Sequence, residues 1–325
     1  MSNNFFLLPI LLLLNFIFFY FLKYFSDLIN IYDIPDKKRK FHKFPVPLIG
    51  GVIIMLNFVI LILFSDLYIG SVFSIFIFSL IFFLIGFIDD KFNLLPSNKF
   101  FLNIFILLFF FSLNENLLIK ELNFLNIDLK FNYFFSFFFS ILCILLFVNS
   151  VNLFDGINLQ SLIYCSITLL FLFHKNNSLT YLIPIILILI ILMYFNYNNK
   201  LFLGDSGIYL LSSFIAFNVL NLYSLNKQIV PEEIFIIMMV PGLDMFRLFI
   251  QRLLNKKNPF YGDRNHIHHL LLKKYGYKVT ILVLLLLVTI PVMSTLLFKY
   301  AYIIVSYVII YCLLIAKLHG KLSLK

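Results

Sequence analysis

Two adjacent carboxylates, Asp89 and Asp90, end a long apolar run whose last residues read FFLIGFIDD. Neighbouring acids repel each other, and they are unfavourable at a helix C-terminus, where the helix dipole already carries negative charge. A metal ion, a lysine or an arginine would compensate for that cost. The alternative is that two solvated acids mark the surface of a membrane, as acids that flank an apolar span often do.

Two further segments place a carboxylate among amides and glycines. In NSVNLFDGIN, Asn152, Asp155 and Asn158 recur every three residues. On one helix that spacing makes a single polar stripe, so a hydrated interface is the alternative to a binding site. In FLGDSG, Asp205 stands between two glycines, and we expect it to cap the following helix. A capping carboxylate can also bind a metal ion, and glycines let a phosphate approach the backbone.

A basic cluster near the end of the chain reads DRNHIHH and contains Arg264, His266, His268 and His269. A surface cluster with ordinary titration is the simplest interpretation. No cysteine or HExxH spacing supports a zinc site. Arginine forms a bidentate fork with phosphate and histidine can donate to it, so the cluster suits phosphate better. Acids that hold a hard cation, together with these bases, indicate chemistry on a phosphate bond.

The composition is that of an integral membrane protein. Of 325 residues, 62% are hydrophobic and only 12% are charged, which excludes an ordinary soluble domain. The net charge of +10 indicates cytoplasmic loops beside anionic lipid, and not nucleic-acid binding. Cys143, Cys165 and Cys312 lie inside apolar runs without metal-ligand spacing, so we expect core or lipid-facing positions for them.

Eleven apolar runs follow one another along the chain, and most have the length of a spanning helix. The first lacks the basic start and cleavage site of a removable signal. The fourth is short enough to be re-entrant, and Pro241-Gly242 predicts a kink or break in the ninth. The predicted fold is therefore an all-α integral membrane protein with about 10–11 transmembrane helices, forming one domain over residues 1–325. The runs are Phe5–Phe25, Val46–Phe64, Ser71–Ile88, Phe100–Leu113, Tyr133–Val148, Ile157–Phe173, Leu179–Phe195, Ile208–Tyr223, Ile234–Leu254, Val279–Phe298 and Tyr300–Ala316.

Lysine and arginine determine the predicted orientation, because these residues concentrate on the cytoplasmic side of membrane proteins. With the N-terminus outside and the C-terminus inside, most of the 25 Lys and Arg residues fall inside. The exceptions are Lys120, Lys130, Lys175, Lys227 and Lys299. Within one outer segment, residues 117–132 alternate around Asn126-Ile127-Asp128, which predicts a short external β-hairpin.

This orientation brings the polar clusters to one face. The Asp pair, the NSVNLFDGIN, NYNNKLFLGDSG and NPFYGDRNHIHHL segments and the basic segment DIPDKKRKFHKFPVPLIGG all fall on the cytoplasmic side. A transporter is expected to carry its ionisable residues near the middle of the membrane, where this chain has only Asp244 and Arg247. The clusters therefore predict one site that faces the cytoplasm.

The order of the motifs resembles the polyprenyl-phosphate N-acetylhexosamine-1-phosphate transferases (the WecA, TagO and MraY type of glycosyltransferase family 4) over nearly the whole chain. Each motif alone is weak evidence, but five in order are highly specific. They are D-x-P-x-x-x-R-K-x-H-x-x-P-x-P-x-x-G-G at 33–51, I-D-D at 88–90 with Lys99, N-x-x-N-x-x-D-G-x-N at 149–158, F-L-G-D-S-G at 202–207 and P-F-x-x-D-R-x-H-x-H-H-x-L at 259–271.

The resemblance implies a reaction in which undecaprenyl phosphate attacks the β-phosphorus of a UDP-sugar in a bacterial inner membrane and UMP leaves. It implies Mg²⁺ as the cofactor, with Mn²⁺ as the alternative, and leaves a homodimer open. It also assigns roles by motif position. Asn152 and Asp205 are the implied metal ligands, Asp89, Asp90 and Asp155 the catalytic acids, Lys99 a phosphate contact, and Asn196, Arg264, His266, His268 and His269 the pocket for the nucleotide sugar.

The chain departs from the family pattern at several positions. Asn93 replaces a frequent third acid, and Asn158-Leu159 stands where D-G is common in D-G-x-D-G-L. Asn198-Asn199 replaces a usual Pro-Ala. The peptidoglycan translocase branch carries three consecutive histidines, so D-R-N-H-I-H-H resembles the branch that uses simple UDP-N-acetylhexosamines for O-antigen, capsule or wall polymers. The translocase remains the alternative, and a non-catalytic transporter is the alternative from another class.

Overall fold

The computed structural model describes residues 4–35, 44–64, 70–258 and 264–320. Much of the basic segment and the first part of the last motif, residues 36–43 and 259–263, lie outside these ranges. Within them the chain forms α-helices and two short antiparallel strand pairs. The elements are α1 (Asn4–Tyr20), α2 (Leu22–Ile29), β1 (Tyr32–Asp33), β2 (Val46–Pro47), α3 (Gly50–Phe64), α4 (Ser71–Phe92), α5 (Pro96–Leu113), β3 (Glu121–Phe124), β4 (Ile127–Lys130), α6 (Tyr133–Phe154), α7 (Gln160–Lys175), α8 (Leu182–Tyr197), α9 (Gly204–Leu220), α10 (Pro231–Leu254), α11 (Ile267–Ser294) and α12 (Tyr300–Leu318).

The predicted all-α membrane fold is confirmed, and every apolar run contains a helix. Among the described residues, six helices are long and apolar enough to cross a membrane: α4, α5, α6, α9 with its π-helical extension, α11 and α12. The first run forms α1 and α2, which are bent by 74° and together would make a seventh span. The count of about 10–11 spans and the orientation of the termini stay predictions.

Helix α9 is the centre of the bundle. Every residue from Ser206 to Leu220 is buried, and the helix packs against α3, α4, α6 and α7. A helix that is apolar on all sides belongs in the interior of a membrane bundle, surrounded by other helices. The polar FLGDSG motif at the beginning of α9 is therefore held by the whole bundle.

The close approach of α4 to α9 depends on Gly86. A Cβ atom on this glycine would lie 2.4 Å from the main-chain oxygen of Asp205, which is closer than real atoms come. A glycine here lets the two backbones pass at a distance that any side chain would forbid. Asp89 and Asp90, about one turn further along α4, consequently reach the first turn of α9.

The predicted break in the ninth run is wrong, whereas a kink at Pro241 stays a prediction. Helix α10 continues through Pro241, whereas α11 is interrupted by non-helical backbone angles at Gly276, with φ 75° and ψ 175°. Glycine adopts such angles without steric cost, so it is the natural place for the interruption. The short fourth run extends to the full length of α5, which is among the candidate spans.

The predicted β-hairpin is confirmed between α5 and α6. Strands β3 and β4 pair in antiparallel register from Glu121 opposite Lys130 to Phe124 opposite Ile127. The turn residues Leu125 and Asn126 both have positive φ, as a two-residue hairpin turn matched to the strand twist requires. The hairpin is tied to α10 because the Leu125 N–H donates to Oε1 of Glu232 at 2.7 Å.

Leu159, the residue before α7, has φ 70° and ψ −23° in the left-handed region. This conformation is costly for a side chain with a Cβ atom, by roughly 1–2 kcal/mol. Glycine is common at this position of the family motif, and the left-handed angle supplies a physical reason. The leucine therefore stores backbone strain at the end of the loop between α6 and α7, residues 155–159, which we call the Asp155 loop.

We predict that glycine is more stable than alanine at position 159, by about 1 kcal/mol, although it is the weaker helix former. Leu142 lies exposed in the middle of α6, and there the order should be reversed, with alanine better by about 1 kcal/mol. Thermal unfolding of the four variants in one detergent measures both differences. If the alanine variant were more stable than the glycine variant at both positions, the backbone at Leu159 would not be strained.

Candidate functional site

A cavity of about 940 Å³ opens where the ends of α4, α6, α8 and α9 meet. Its volume lies in the range of small-molecule sites, which are commonly about 300–1,000 Å³. Residues from four of the five polar segments singled out in the sequence line it, including Asp33 of β1. The predicted site residues among them are Asp89, Asp90, Asp155, Asn196 and Asp205.

Lys99 joins two carboxylates on the wall of this cavity. Its ammonium group forms a salt bridge with Asp89 and lies 3.1 Å from Oδ2 of Asp205. Asp89 is 5% exposed, and its Oδ1 accepts from the Leu94 N–H at 2.8 Å. The compensating cation that the Asp pair requires is therefore a lysine from the neighbouring helix α5. The interpretation of Asp89 as a solvated surface acid is wrong.

Asp90 has a different partner, the N-terminus of α9. Its carboxylate accepts from the main-chain N–H of Asp205 at 2.8 Å and of Ser206 at 3.0 Å. The first turn of a helix has unpaired N–H groups and partial positive charge, and an acid satisfies both. The expected capping by Asp205 is wrong, because Asp205 lies inside the first turn and Asp90 from α4 caps it.

Asp155 lies at the end of α6, on a separate part of the cavity wall. The Ser161 hydroxyl donates to its carboxylate. Burial, the largest cause, and the nearby charge of Asp90 raise the pKa of Asp155 to about 6, against the opposing hydrogen bond from Ser161. Helix α6 ends at Phe154, so the polar stripe expected on one helix does not extend to Asn158.

Asparagine amides connect the Asp155 loop to the loop before α9. The Asn158 Nδ2 donates to the main-chain oxygen of Asn196 at 2.9 Å and to Oδ1 of Asn199 at 2.8 Å. The Leu159 N–H donates to Oδ1 of Asn196 at 2.7 Å. A main-chain carbonyl can only accept, so Asn158 must present its NH₂ group there. An aspartate at this position would face that oxygen with a carboxylate.

Backbone pairing fixes the segment that leads into α9. The Phe202 N–H donates to the Pro47 oxygen at 2.9 Å, and the Gly50 N–H donates to the Phe202 oxygen at 3.0 Å. The segment after β2 therefore aligns FLGD beside the start of α3. Since buried backbone groups must be paired, these bonds hold Asp205 in register with the Asp pair.

Lys99 and the remaining predicted residues lie outside the lining of the cavity. Asn152 is half-buried on α6, where its main-chain oxygen accepts from the Asp155 N–H at 3.3 Å. His266 and His268 are buried, His269 is half-buried and Arg264 is exposed. The structure thus brings Asn196 to the cavity wall but turns two of the three histidines into the protein. The binding of a nucleotide by these residues, and of a metal ion by Asn152, stays a prediction.

The sequence did not single out Ser161 and Gln160 as site residues. Ser161 lines the cavity beside Asp155, and the Gln160 amide lies 3.2 Å from Nδ1 of the buried His268. Both follow the N-x-x-N-x-x-D-G-x-N motif directly, and both are polar residues at the start of an apolar run. Two polar residues at the start of an apolar run were therefore the sequence signal that could have indicated them as site residues.

The cavity offers oxygen ligands for a metal ion. Among residues 4–35, 44–64, 70–258 and 264–320, no group of three or more His, Cys, Asp or Glu side chains is arranged to hold one. Mg²⁺ commonly takes only one or two protein carboxylates, together with water and substrate phosphates. Asp155 and Asp205 both line the cavity, so the donor set fits such a hard cation.

Comparison with known proteins agrees with this geometry. The model of the family described as "Glycosyl transferase family 4" matches residues 72–223. That range begins in α4 and ends after α9, so it includes the Asp pair, Lys99, Asp155 and Asp205. The family signal thus coincides with the elements that build the cavity.

Curated relatives extend the similarity over most of the chain. A probable undecaprenyl-phosphate N-acetylglucosaminyl 1-phosphate transferase of Bacillus subtilis is 26% identical over 85% of this chain and 80% of its own length. An undecaprenyl-phosphate alpha-N-acetylglucosaminyl 1-phosphate transferase of Salmonella typhi is 24% identical over 75% of this chain and 70% of its own length. One of the same name from Pasteurella multocida is 31% identical over a shorter stretch, 35% of this chain and 34% of its own length. With the motifs in order and the helices that carry them packed around one cavity, the chain is similar to the polyprenyl-phosphate N-acetylhexosamine-1-phosphate transferases of glycosyl transferase family 4.

Proposed function

We propose that the protein transfers an N-acetylhexosamine 1-phosphate, such as GlcNAc 1-phosphate, from a UDP-sugar to undecaprenyl phosphate and releases UMP. The observation that carries the proposal is the arrangement of Asp89, Asp155 and Asp205 around one cavity at the end of a membrane helix, with Lys99 paired to both Asp89 and Asp205. The names of the relatives supply the lipid acceptor and the sugar. The reaction would begin a lipid-linked envelope glycan at the cytoplasmic face of the inner membrane.

Asp89 and Asp90 have different roles in the proposed reaction. Asp90 gives both carboxylate oxygens to N–H groups of α9, so it holds Asp205 in position. Asp89 and Lys99 are the residues that bind the lipid phosphate. The Lys99 ammonium attracts the phosphate oxygens, and Asp89 orients the ammonium and accepts a proton from a protonated lipid phosphate.

The lipid phosphate oxygen then forms a bond to the β-phosphorus of the UDP-sugar, and the bond from this phosphorus to the bridging oxygen breaks. The leaving group is UMP, and the sugar stays on the membrane as a pyrophosphate-linked lipid. Asp155 and Asp205 would hold Mg²⁺, which supplies charge neutralisation on the phosphates when bound. Asn196 supports the cavity wall from within, because its Oδ1 accepts from the Leu159 N–H and its Nδ2 donates to the Leu201 oxygen. Arg264 is an exposed cation of the histidine cluster and is available to a phosphate of the donor.

The proposal is tested by incubating the purified protein with Mg²⁺, undecaprenyl phosphate and a panel of UDP-sugars. We expect UMP release with UDP-N-acetylhexosamines, and none when the lipid phosphate is omitted or the metal is chelated. Release with only UDP-MurNAc-pentapeptide would favour the translocase alternative. Vesicle flux without UMP release would favour a transporter and contradict the proposal.

We predict that Asp205→Asn abolishes measurable UMP release while the protein still inserts into membranes. The amide removes both a hard-cation ligand and the second charge beside Lys99, so any residual turnover should require at least about tenfold more Mg²⁺. Mg²⁺ titration of UMP release measures the effect. Asp128→Asn, on the exposed strand β4, is the matched control and should behave as the unmodified protein. Near-normal activity of Asp205→Asn would show that Asp205 is not a metal ligand and only pairs with Lys99.

We also predict that Asn158→Asp lowers turnover by about tenfold or more, because a carboxylate replaces two donated hydrogen bonds and repels a carbonyl oxygen. If residue 158 instead serves as a catalytic acid, restoring the aspartate of the common D-G-x-D-G-L pattern should raise turnover. The two ideas therefore differ in sign. Asn126→Asp, in the exposed hairpin turn, controls for the added charge and should leave turnover unchanged.

A further inference from the structure

Asp244, a carboxylate in the middle of an apolar helix, has no part in the reaction described above. It lies on α10 and is only 2% exposed. Its Oδ1 accepts from Nη2 of Arg247 at 2.8 Å, from the Tyr311 hydroxyl at 2.9 Å and from the Ile267 N–H at 3.1 Å. Its Oδ2 lies 2.8 Å from Nδ1 of His266. One carboxylate thus joins α10, α11 and α12.

A buried carboxylate is retained at a cost unless it is paired and its lone pairs are satisfied. Arg247 supplies the opposite charge, and the first N–H of α11 supplies a helix N-terminus. Arg247 also donates from Nη2 to the Asn265 oxygen at 2.6 Å. Three of the partners, Asn265, His266 and Ile267, belong to the histidine segment, residues 264–269. The network therefore fixes that segment to the membrane helices and does more than neutralise the acid.

A chain of contacts leads from Asp244 to the cavity. The His266 ring stacks on His268, with ring centroids 5.4 Å apart and an angle of 11° between the planes. His268 is 1% exposed and lies beside the backbone of Gly156, where a Cβ atom would come within 1.9 Å of its Nε2. The Gln160 amide lies 3.2 Å from its Nδ1. His268 therefore packs against both ends of the Asp155 loop.

We propose that Asp244 is a positioning residue of the transferase site. It anchors His266, which holds His268 against Gly156, so that Asp155 and Asn158 keep their places on the cavity wall. None of Asp244, His266 and His268 lines the cavity, and they act through the loop that does. The inference rests on the proposed function for its kinetic consequences, whereas the anchor itself can be measured without turnover.

The kinetic test compares Asp244→Asn and Asp244→Ala in the UMP-release assay, with each substrate varied in turn. Displacement of a reacting group by about 1 Å can cost on the order of 100-fold in rate. We therefore expect Asp244→Ala to lose roughly 10- to 100-fold in turnover and to raise the apparent KM for the UDP-sugar. The apparent KM for undecaprenyl phosphate should stay unchanged, because Lys99 and Asp89 are held by other contacts. Asp244→Asn keeps an accepting oxygen for Tyr311 and Ile267 and should be intermediate.

Histidine modification by diethyl pyrocarbonate, read by mass spectrometry, reports the anchor independently of activity. In the unmodified protein His266 and His268 should be protected, while the exposed His174 and His319 react as internal references. Asp244→Ala should expose His266 and His268 to the reagent and leave the references unchanged. His266→Gln keeps a donor for Asp244 and should retain more turnover than His266→Leu.

Glu232→Gln is the matched control. It changes a buried acid on the same helix that contacts the β-hairpin and not the histidines. Glu232 lies twelve residues, or about 18 Å, from Asp244 along α10. It should alter neither the kinetics nor the histidine labelling. If Asp244→Ala does not fold, Asp244→Asn and the His266 pair carry the same test.

The outcomes separate the two proposals. An unmodified protein that releases no UMP under any condition overturns the proposed function, while the labelling still reports the anchor. An active protein whose Asp244 and His266 variants match it in KM and turnover overturns the positioning role. A uniform loss of turnover with unchanged labelling and unchanged KM for the UDP-sugar also overturns it.

Discussion

The site depends on one contact, the two hydrogen bonds from the N-terminus of α9 to the Asp90 carboxylate of α4. A helix N-terminus buried in a membrane protein must find acceptors for its free N–H groups, and a carboxylate is the strongest that a side chain supplies. Gly86 makes the contact sterically possible. The contact of Asp90 with α9 determines the position of Asp205. It thereby brings Asp205 close to Lys99, which also pairs with Asp89. The most buried helix and the charged wall of the cavity are thus fixed together.

The acids of the cavity, and Asp244 behind it, are balanced by partners of different kinds. Asp89 and Asp205 share a lysine, Asp90 has a helix N-terminus, Asp155 has a serine hydroxyl and Asp244 has an arginine. Paired or hydrogen-bonded acids are tolerated at low dielectric, whereas an unpaired charge is expensive. Asp155 has the weakest partner of these five acids, because a neutral hydroxyl offsets its charge less than a lysine, an arginine or a helix N-terminus does. Because Asp155 lines the cavity without a cationic partner among the residues that the structure describes, we propose it as one of the two metal ligands.

Much of the fold was predictable from the sequence because the apolar runs and the hairpin turn are local signals. The gathering of Asp89, Asp155, Asn196 and Asp205 was also predictable, since the lysine and arginine distribution brought their segments to one face. The identity of their partners was not. Asp205 before an apolar helix is typical of an N-cap, and only the packing of α4 on α9 gives that task to Asp90. The burial of His266 and His268 likewise depends on Asp244, whose direction on α10 is set by tertiary contacts. Pro241 is accommodated within α10, which its residue type alone could not predict.

The most direct measurement is an experimental structure of the protein with Mg²⁺ and the UDP-sugar that it uses. The account predicts the pyrophosphate of the donor in the cavity between Lys99 and Asp155, with a metal ion on Asp205 and Asp155 and with Asp90 still bonded to the first turn of α9. A nucleotide bound away from this wall, or an Asp90 carboxylate that leaves α9 to bind the metal, would contradict it.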